Sequence, residues 1–182
     1  MNAASVIKFL VGRIKSPTEP DLRKAYYLAE LTHLVGDIHQ PLHTVTRYTP
    51  EEPRGDLGGN FFLLAEAAPR PNLHSYWDAA GGAFGFRDLR RPLSNNDQNK
   101  LQTFANDISS MFPRSGMTTE VSNLDPLVWA QEGKALAIAQ VYPGIQENGV
   151  PSTTYQANAQ KVTKRRIALA GYRLGEILKQ TF

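Results

Sequence analysis

Residues 32 to 43, THLVGDIHQPLH, hold three of the chain's four histidines and an aspartate. Imidazole nitrogen and carboxylate oxygen at this density are the donors of a metal site that does without thiolate. His33 and Asp37 stand four residues apart, so on a helix both side chains leave the same face about one turn from each other. The fourth histidine, His74, precedes Asp78 by four residues in NLHSYWD and repeats the spacing. A lone pair of this kind is usually structural. Two pairs, with His43 just past the break at Pro41, point to metal. Nitrogen and oxygen donors suit zinc, and three protein ligands with an open position make a catalytic type of site. Iron and manganese satisfy the same donor chemistry.

Other residues carry weaker signals. His39 lies six residues after His33 and two after Asp37, so on a continuous helix it points away from their face and is expected to pack or hydrogen-bond rather than ligate. Asp56, in GDLGGN, is expected to serve a turn. Gly58 and Gly59 let backbone approach a ligand closely, and the Asn60 amide can read a base edge. A glycine turn before a strand explains the same three residues equally well. Tyr76 and Trp77 have faces on which a base could stack, though aromatic residues in a helix are more often core. Lys161, Lys164, Arg165 and Arg166 form a basic cluster that reads as a solvated face.

These side chains need helices to hold them. Val6, Ile7, Leu10, Val11 and Ile14 recur at helical spacing, which predicts a helix over 2–15 that stops before Pro17. A second helix starts at Asp21 as its cap and carries the histidine motif as far as Pro41, with Leu22, Tyr26, Ala29, Leu34 and Ile38 as its apolar side. EEPRGDLGG reads as loop, FFLLA as a short strand at most, and NLHSYWDAA as a new helix. Further helices are predicted over 96–112, from Asp125 and Pro126 to Pro143, and over 153–180. The expectation is all-α, a mainly helical single domain over 1–182 with at most a short strand or hairpin near 60–65.

Composition narrows the class. At 182 residues and 41% hydrophobic, the chain is long enough to bury a core of its own. The absence of cysteine excludes disulfides and thiolate metal sites. A formal charge of +3, spread along the sequence, favours anionic ligands only weakly. No apolar run reaches the roughly 20 residues needed to span a bilayer. The first residues, MNAASVIKFLVGRIKSPTE, lack the basic start and small-residue cleavage site of a signal peptide.

THLVGDIHQPLH, GDLGGN and NLHSYWD, in this order and with RRIALAGYRLGEIL at the end, resemble the zinc-dependent family of phospholipase C and single-strand-specific (P-one and S-one type) nucleases. The resemblance extends over nearly the whole chain and implies a mostly helical fold with three zinc ions in a cleft. It implies phosphodiester hydrolysis, with single-stranded DNA or RNA or 3'-nucleotides as substrates and 5'-nucleotides as products. His33 would bind the first zinc, Asp37 would bridge the first and third as the catalytic carboxylate, and His43, His74 and Asp78 would complete the second. Gly58, Gly59 and Asn60 would lie beside a nucleobase pocket. Family members are generally secreted or periplasmic.

The resemblance begins partway along the family's pattern. The N-terminal tryptophan, two histidines and aspartate that complete the zinc cluster lie upstream of the first motif, and no histidine precedes His33 here. The chain corresponds to roughly the last two thirds of such an enzyme. It keeps all three ligands of the second zinc, two of the first and only the shared Asp37 of the third. Three readings follow: a zinc phosphodiesterase of nuclease or 3'-nucleotidase type, a phospholipase C, or a shortened zinc-binding remnant without turnover. A fourth, a helical domain whose histidines only make core hydrogen bonds, predicts no metal uptake.

Overall fold

A computed structural model describes residues 2–84 and 92–182. Seven α-helices are present among them: α1 (Ala3–Lys15), α2 (Asp21–Asp37), α3 (Leu73–Asp78), α4 (Asn95–Met111), α5 (Thr118–Ser122), α6 (Pro126–Leu136) and α7 (Thr153–Lys179). No β-sheet is present among the described residues, in keeping with an all-α fold. None of these helices is long and apolar enough to cross a membrane.

Helix starts follow local chemistry. The Asn2 side chain accepts the Ser5 amide and Ser5 reaches back to the Asn2 backbone, a reciprocal cap for α1. Asp125 caps α6 through the Leu127 amide, with Pro126 as the first helical residue. Asp21 is itself the first residue of α2, and the flanking residue is Pro20, which offers no side-chain cap. Its carboxylate still favours the helix dipole from the first turn. The short elements have no counterpart in the sequence expectation: α5 and the 3-10 turns Pro41–Thr44, Ala80–Gly82 and Arg114–Met117.

The buried face of α2 differs from the expected one. Leu31, Val35 and Ile38 are buried, whereas Leu22 is 87% and Tyr26 62% exposed. The helix packs on α1 and α7 chiefly through its second half, so the periodicity of its first turns does not report burial. FFLLA alternates as a strand would, with Phe62 and Leu64 buried and Phe61 and Leu63 exposed. Its pairing is limited to one antiparallel bridge, Leu63 with Asn72. The Leu64 amide reaches the Pro71 carbonyl and the Leu73 amide the Phe62 carbonyl. Pro69 and Pro71 have no N–H to extend the ladder.

Two apolar clusters make most of the core. One gathers Ile7, Leu10, Leu31, Val35, Ile38, Trp129 and Ile177; the other gathers Leu42, Phe62, Leu73, Trp77, Val141, Tyr155 and Ala159. Each fully buried aliphatic side chain contributes about 1.5–3 kcal/mol. The chain crosses from the first cluster to the second between Ile38 and Leu42, which fixes the turn carrying the histidine motif. Helix α6 closes on that turn at Gly133, where a Cβ would lie 2.5 Å from the Thr44 hydroxyl oxygen.

Candidate metal centre

Helix α2 delivers Asp37 at its last turn, and after the break at Pro41 a 3-10 turn, Pro41–Thr44, delivers His43. Helix α3, capped by the Asn72 side chain on the Ser75 amide, presents His74 and Asp78 one turn apart. His43 Nε2 lies 3.2 Å from Asp78 Oδ1, and His74 Nε2 lies 3.5 Å from Asp78 Oδ2. The two imidazoles stack at 4.9 Å with 8° between their planes. His43, His74 and Asp78 each offer a ligand atom within 4.8 Å of the other two. They are the one such group of three among the described residues.

The spacing suits zinc. Tetrahedral ligands about 2.0–2.1 Å from zinc are separated from one another by about 3.3 Å. The two imidazole-to-carboxylate distances are close to that edge length, each to a different Asp78 oxygen. The hydrogen bond to Asp78 holds the His43 imidazole's pKa above its ordinary value against the effect of burial. Burial pushes the Asp78 carboxyl up, but hydrogen bonds from His43 and Gln40 outweigh it and leave the pKa lowered. Positive charge is therefore favoured between these groups, and a cation there would displace the proton they share.

Two supports hold the cluster, and the sequence reading assigned neither. His74 Nδ1 donates to the Gly58 carbonyl at 2.9 Å, which leaves Nε2 to face Asp78. The His74 amide donates to the Gly59 carbonyl at 3.2 Å. Gly58 has φ +63°, and a Cβ there would lie 2.3 Å from the Leu42 carbonyl oxygen, so glycine brings this loop onto the His43 turn. Gln40 is the second support. Its Nε2 donates to Asp78 Oδ1 at 2.9 Å, and its Oε1 accepts the Leu42 amide at 2.5 Å. One side chain thus ties the His43 turn to α3. The Gln-Pro pair could have suggested a capping glutamine, but nothing in the spacing predicts its reach to Asp78.

His33 and Asp37 form a pair rather than a closed set. His33 Nε2 lies 3.1 Å from Asp37 Oδ2, and His43 Nδ1 is 3.9 Å from the same oxygen. Asp37 therefore faces both the exposed His33 and the three-residue cluster. Asn60 is exposed, and its amide nitrogen donates to the Leu57 carbonyl.

His39 turns the other way and is 1% exposed. Nδ1 donates to the Val35 carbonyl at 2.7 Å and Nε2 accepts from Arg173 at 2.9 Å, so both nitrogens are engaged. Burial, helped by Arg166, lowers its pKa to about 3. Arg166 donates to the His39 carbonyl and, like Arg173, to Glu132. The solvated-face reading of the basic cluster is thus wrong for Arg166, which is 3% exposed. Asp56 is buried and accepts from the Arg47 amide and the Tyr142 hydroxyl, as a structural carboxylate would. Tyr76 and Trp77 are core, with the Trp77 indole donating to the Tyr155 hydroxyl at 2.9 Å.

The sequence model of the S1/P1 Nuclease family matches residues 1–182. Endonuclease 1 of Arabidopsis thaliana is 30% identical over 162 residues, covering 84% of this chain and 48% of the relative. Endonuclease 2 of the same plant is 24% identical over 184 residues, 99% of this chain and 61% of the relative. Nuclease S1 of Aspergillus oryzae is 27% identical over 179 residues, 88% of this chain and 55% of the relative. The chain thus spans about half the length of the curated relatives it matches. With the motifs in order and the family's match running from end to end, the chain belongs to the S1/P1 nuclease family.

Proposed function

We propose that this chain carries part of the active site of a zinc-dependent phosphodiesterase of the single-strand nuclease and 3'-nucleotidase type, which yields 5'-nucleotides. The observation that carries the reading is the convergence of His43, His74 and Asp78, whose ligand atoms lie within 4.8 Å of one another at a partly exposed surface. Zinc at such a site supplies Lewis-acid stabilisation to the oxygen leaving phosphorus. His43, His74 and Asp78 hold the ion, Gly58 keeps the His74 tautomer, and Gln40 keeps Asp78 turned toward His43. Asp37 is the catalytic carboxylate; it stands beside His33, on the side where family resemblance implies the first and third zinc ions, and would be shared between those two. Gly58, Gly59 and Asn60 border the substrate; Asn60 Oδ1 remains available to a base edge. For the whole protein the family implies export to the periplasm or the medium.

Metal analysis joined to hydrolysis tests the reading. We expect chelator-sensitive cleavage of single-stranded DNA and 3'-nucleotides by zinc-loaded protein. Hydrolysis of a phosphatidylcholine analogue without nuclease activity would reassign the substrate to phospholipid. One zinc per chain without turnover would reduce the role to metal binding, and no zinc uptake would overturn the proposal.

A further inference from the structure

Beside Asp78, a groove of about 610 Å³ opens between α3, α4 and α7. Its walls include Phe84, Leu101, Phe104 and Ile108, and its polar lining includes Asp78 and Arg70. The Phe84 and Phe104 rings meet edge to face at 5.2 Å. Arg70 is half-buried and makes no hydrogen bond or ion pair with the described residues. An adjoining cavity of about 410 Å³, lined by Asp37 and His43, shares Asp78 and Phe84 with the groove. Asp78 therefore joins the groove to the cavity that holds Asp37 and His43.

From these features we infer that the groove is the subsite for a nucleotide adjoining the bond that is cut, with Arg70 holding its phosphate and the aromatic wall receiving its base. The inference rests on the phosphodiesterase reading above and names a substrate-contacting surface for it. The volume falls in the range of small-molecule sites. Apolar walls with few polar groups suit a base, since every base has a π-face and stacking on aromatic residues tolerates any sequence. An acyl chain would fit the same walls but would gain nothing from a guanidinium, whereas a phosphodiester supplies the anion that Arg70 lacks. Neither Arg70 nor Phe104 belongs to the motifs that identified the family.

The test is binding of a nuclease-resistant single strand, a fluorescent phosphorothioate oligothymidylate, to zinc-loaded protein at several salt concentrations. Arg70→Gln is expected to weaken binding and to reduce the slope of log affinity against log salt by about 0.7, the value for one phosphate contact on a single strand. Arg70→Lys should retain the slope. Phe104→Ala should weaken binding roughly fivefold to a hundredfold with the slope unchanged. Zinc content should be equal in all variants. If Phe104→Ala fails to fold, the Arg70 pair decides the matter alone. An unchanged slope and affinity in Arg70→Gln would overturn the subsite while leaving the nuclease reading intact. Failure of the parent protein to bind the strand would overturn both. Binding to phosphatidylcholine vesicles that Phe104→Ala abolishes, with strand binding untouched, would make the groove an acyl site and overturn the proposal.

Discussion

His39 and His43 are four residues apart and have opposite environments. His39 is enclosed, with both ring nitrogens committed to Val35 and Arg173. His43 faces a carboxylate at a partly open surface and keeps the pKa of a ring that welcomes positive charge. The difference comes from the turn between them. Ile38 is anchored in one apolar cluster and Leu42 in the other, so the imidazole that follows Ile38 turns into the core and the one that follows Leu42 turns toward Asp78. Burial with full hydrogen bonding makes a histidine a structural peg, and partial burial beside an acid makes it a ligand.

The largest expected effect breaks the inner half of this contrast. Glu132 accepts from both Arg166 and Arg173, and Glu132→Gln leaves two buried guanidiniums without their counter-charge. A loss of about 3–5 kcal/mol in urea unfolding is expected. Burial raises the Glu132 pKa, but hydrogen bonds from Arg173 and Arg166 outweigh it, so the folded value lies below the ordinary 4.5. A depressed carboxylate stabilises the fold above the unfolded pKa, and that stability is lost as pH falls through the folded one. The variant should therefore lose less stability than the parent on acidification below pH 4.5. An equally steep acid limb would refute this role for the ion pairs.

A smaller effect is expected on the outer half. Gln40→Leu removes the link from the His43 turn to Asp78 and should weaken zinc binding 10- to 100-fold, about 1.4–2.7 kcal/mol, by competition with a chromophoric chelator. Unchanged zinc affinity would show that Gln40 merely caps the turn. The smallest effect is expected at His33. Its side chain is 66% exposed, so His33→Ala should change stability by less than about 1 kcal/mol in thermal melts. Zinc at His43, His74 and Asp78 should stay within about twofold of the parent, on the scale where tenfold is about 1.4 kcal/mol. A larger shift would join His33 to the cluster.

Much of this contrast was legible in the sequence, whose spacing sets His39 apart from His33 and Asp37, although α2 ends at Asp37 and His39 stands in the turn after it rather than on a helix continuing to Pro41. The Asp125-Pro126 start of α6 and the course of α7 followed from capping and periodicity. The buried arginines did not. Arg166 and Arg173 look like surface charge until Glu132, more than thirty residues earlier, is brought against them. The exposure of Leu22 and Tyr26 depends on which neighbours reach the start of α2, and the short α5 lacks the length for a periodic signal. The hold of Gly58 on His74 is a main-chain contact, invisible to any reading of side-chain types.

That last contact sets up an unequal tolerance of change. Asp78 leans on a glutamine side chain, and a single substitution can delete the support while the backbone stays in place. His74 leans on a carbonyl, which every residue type carries. Mutation can weaken that support only by displacing the loop, and the close approach to Leu42 makes even alanine at position 58 a displacement. One half of the metal centre can thus be tuned in small steps by sequence drift, whereas the other either keeps its geometry or loses it.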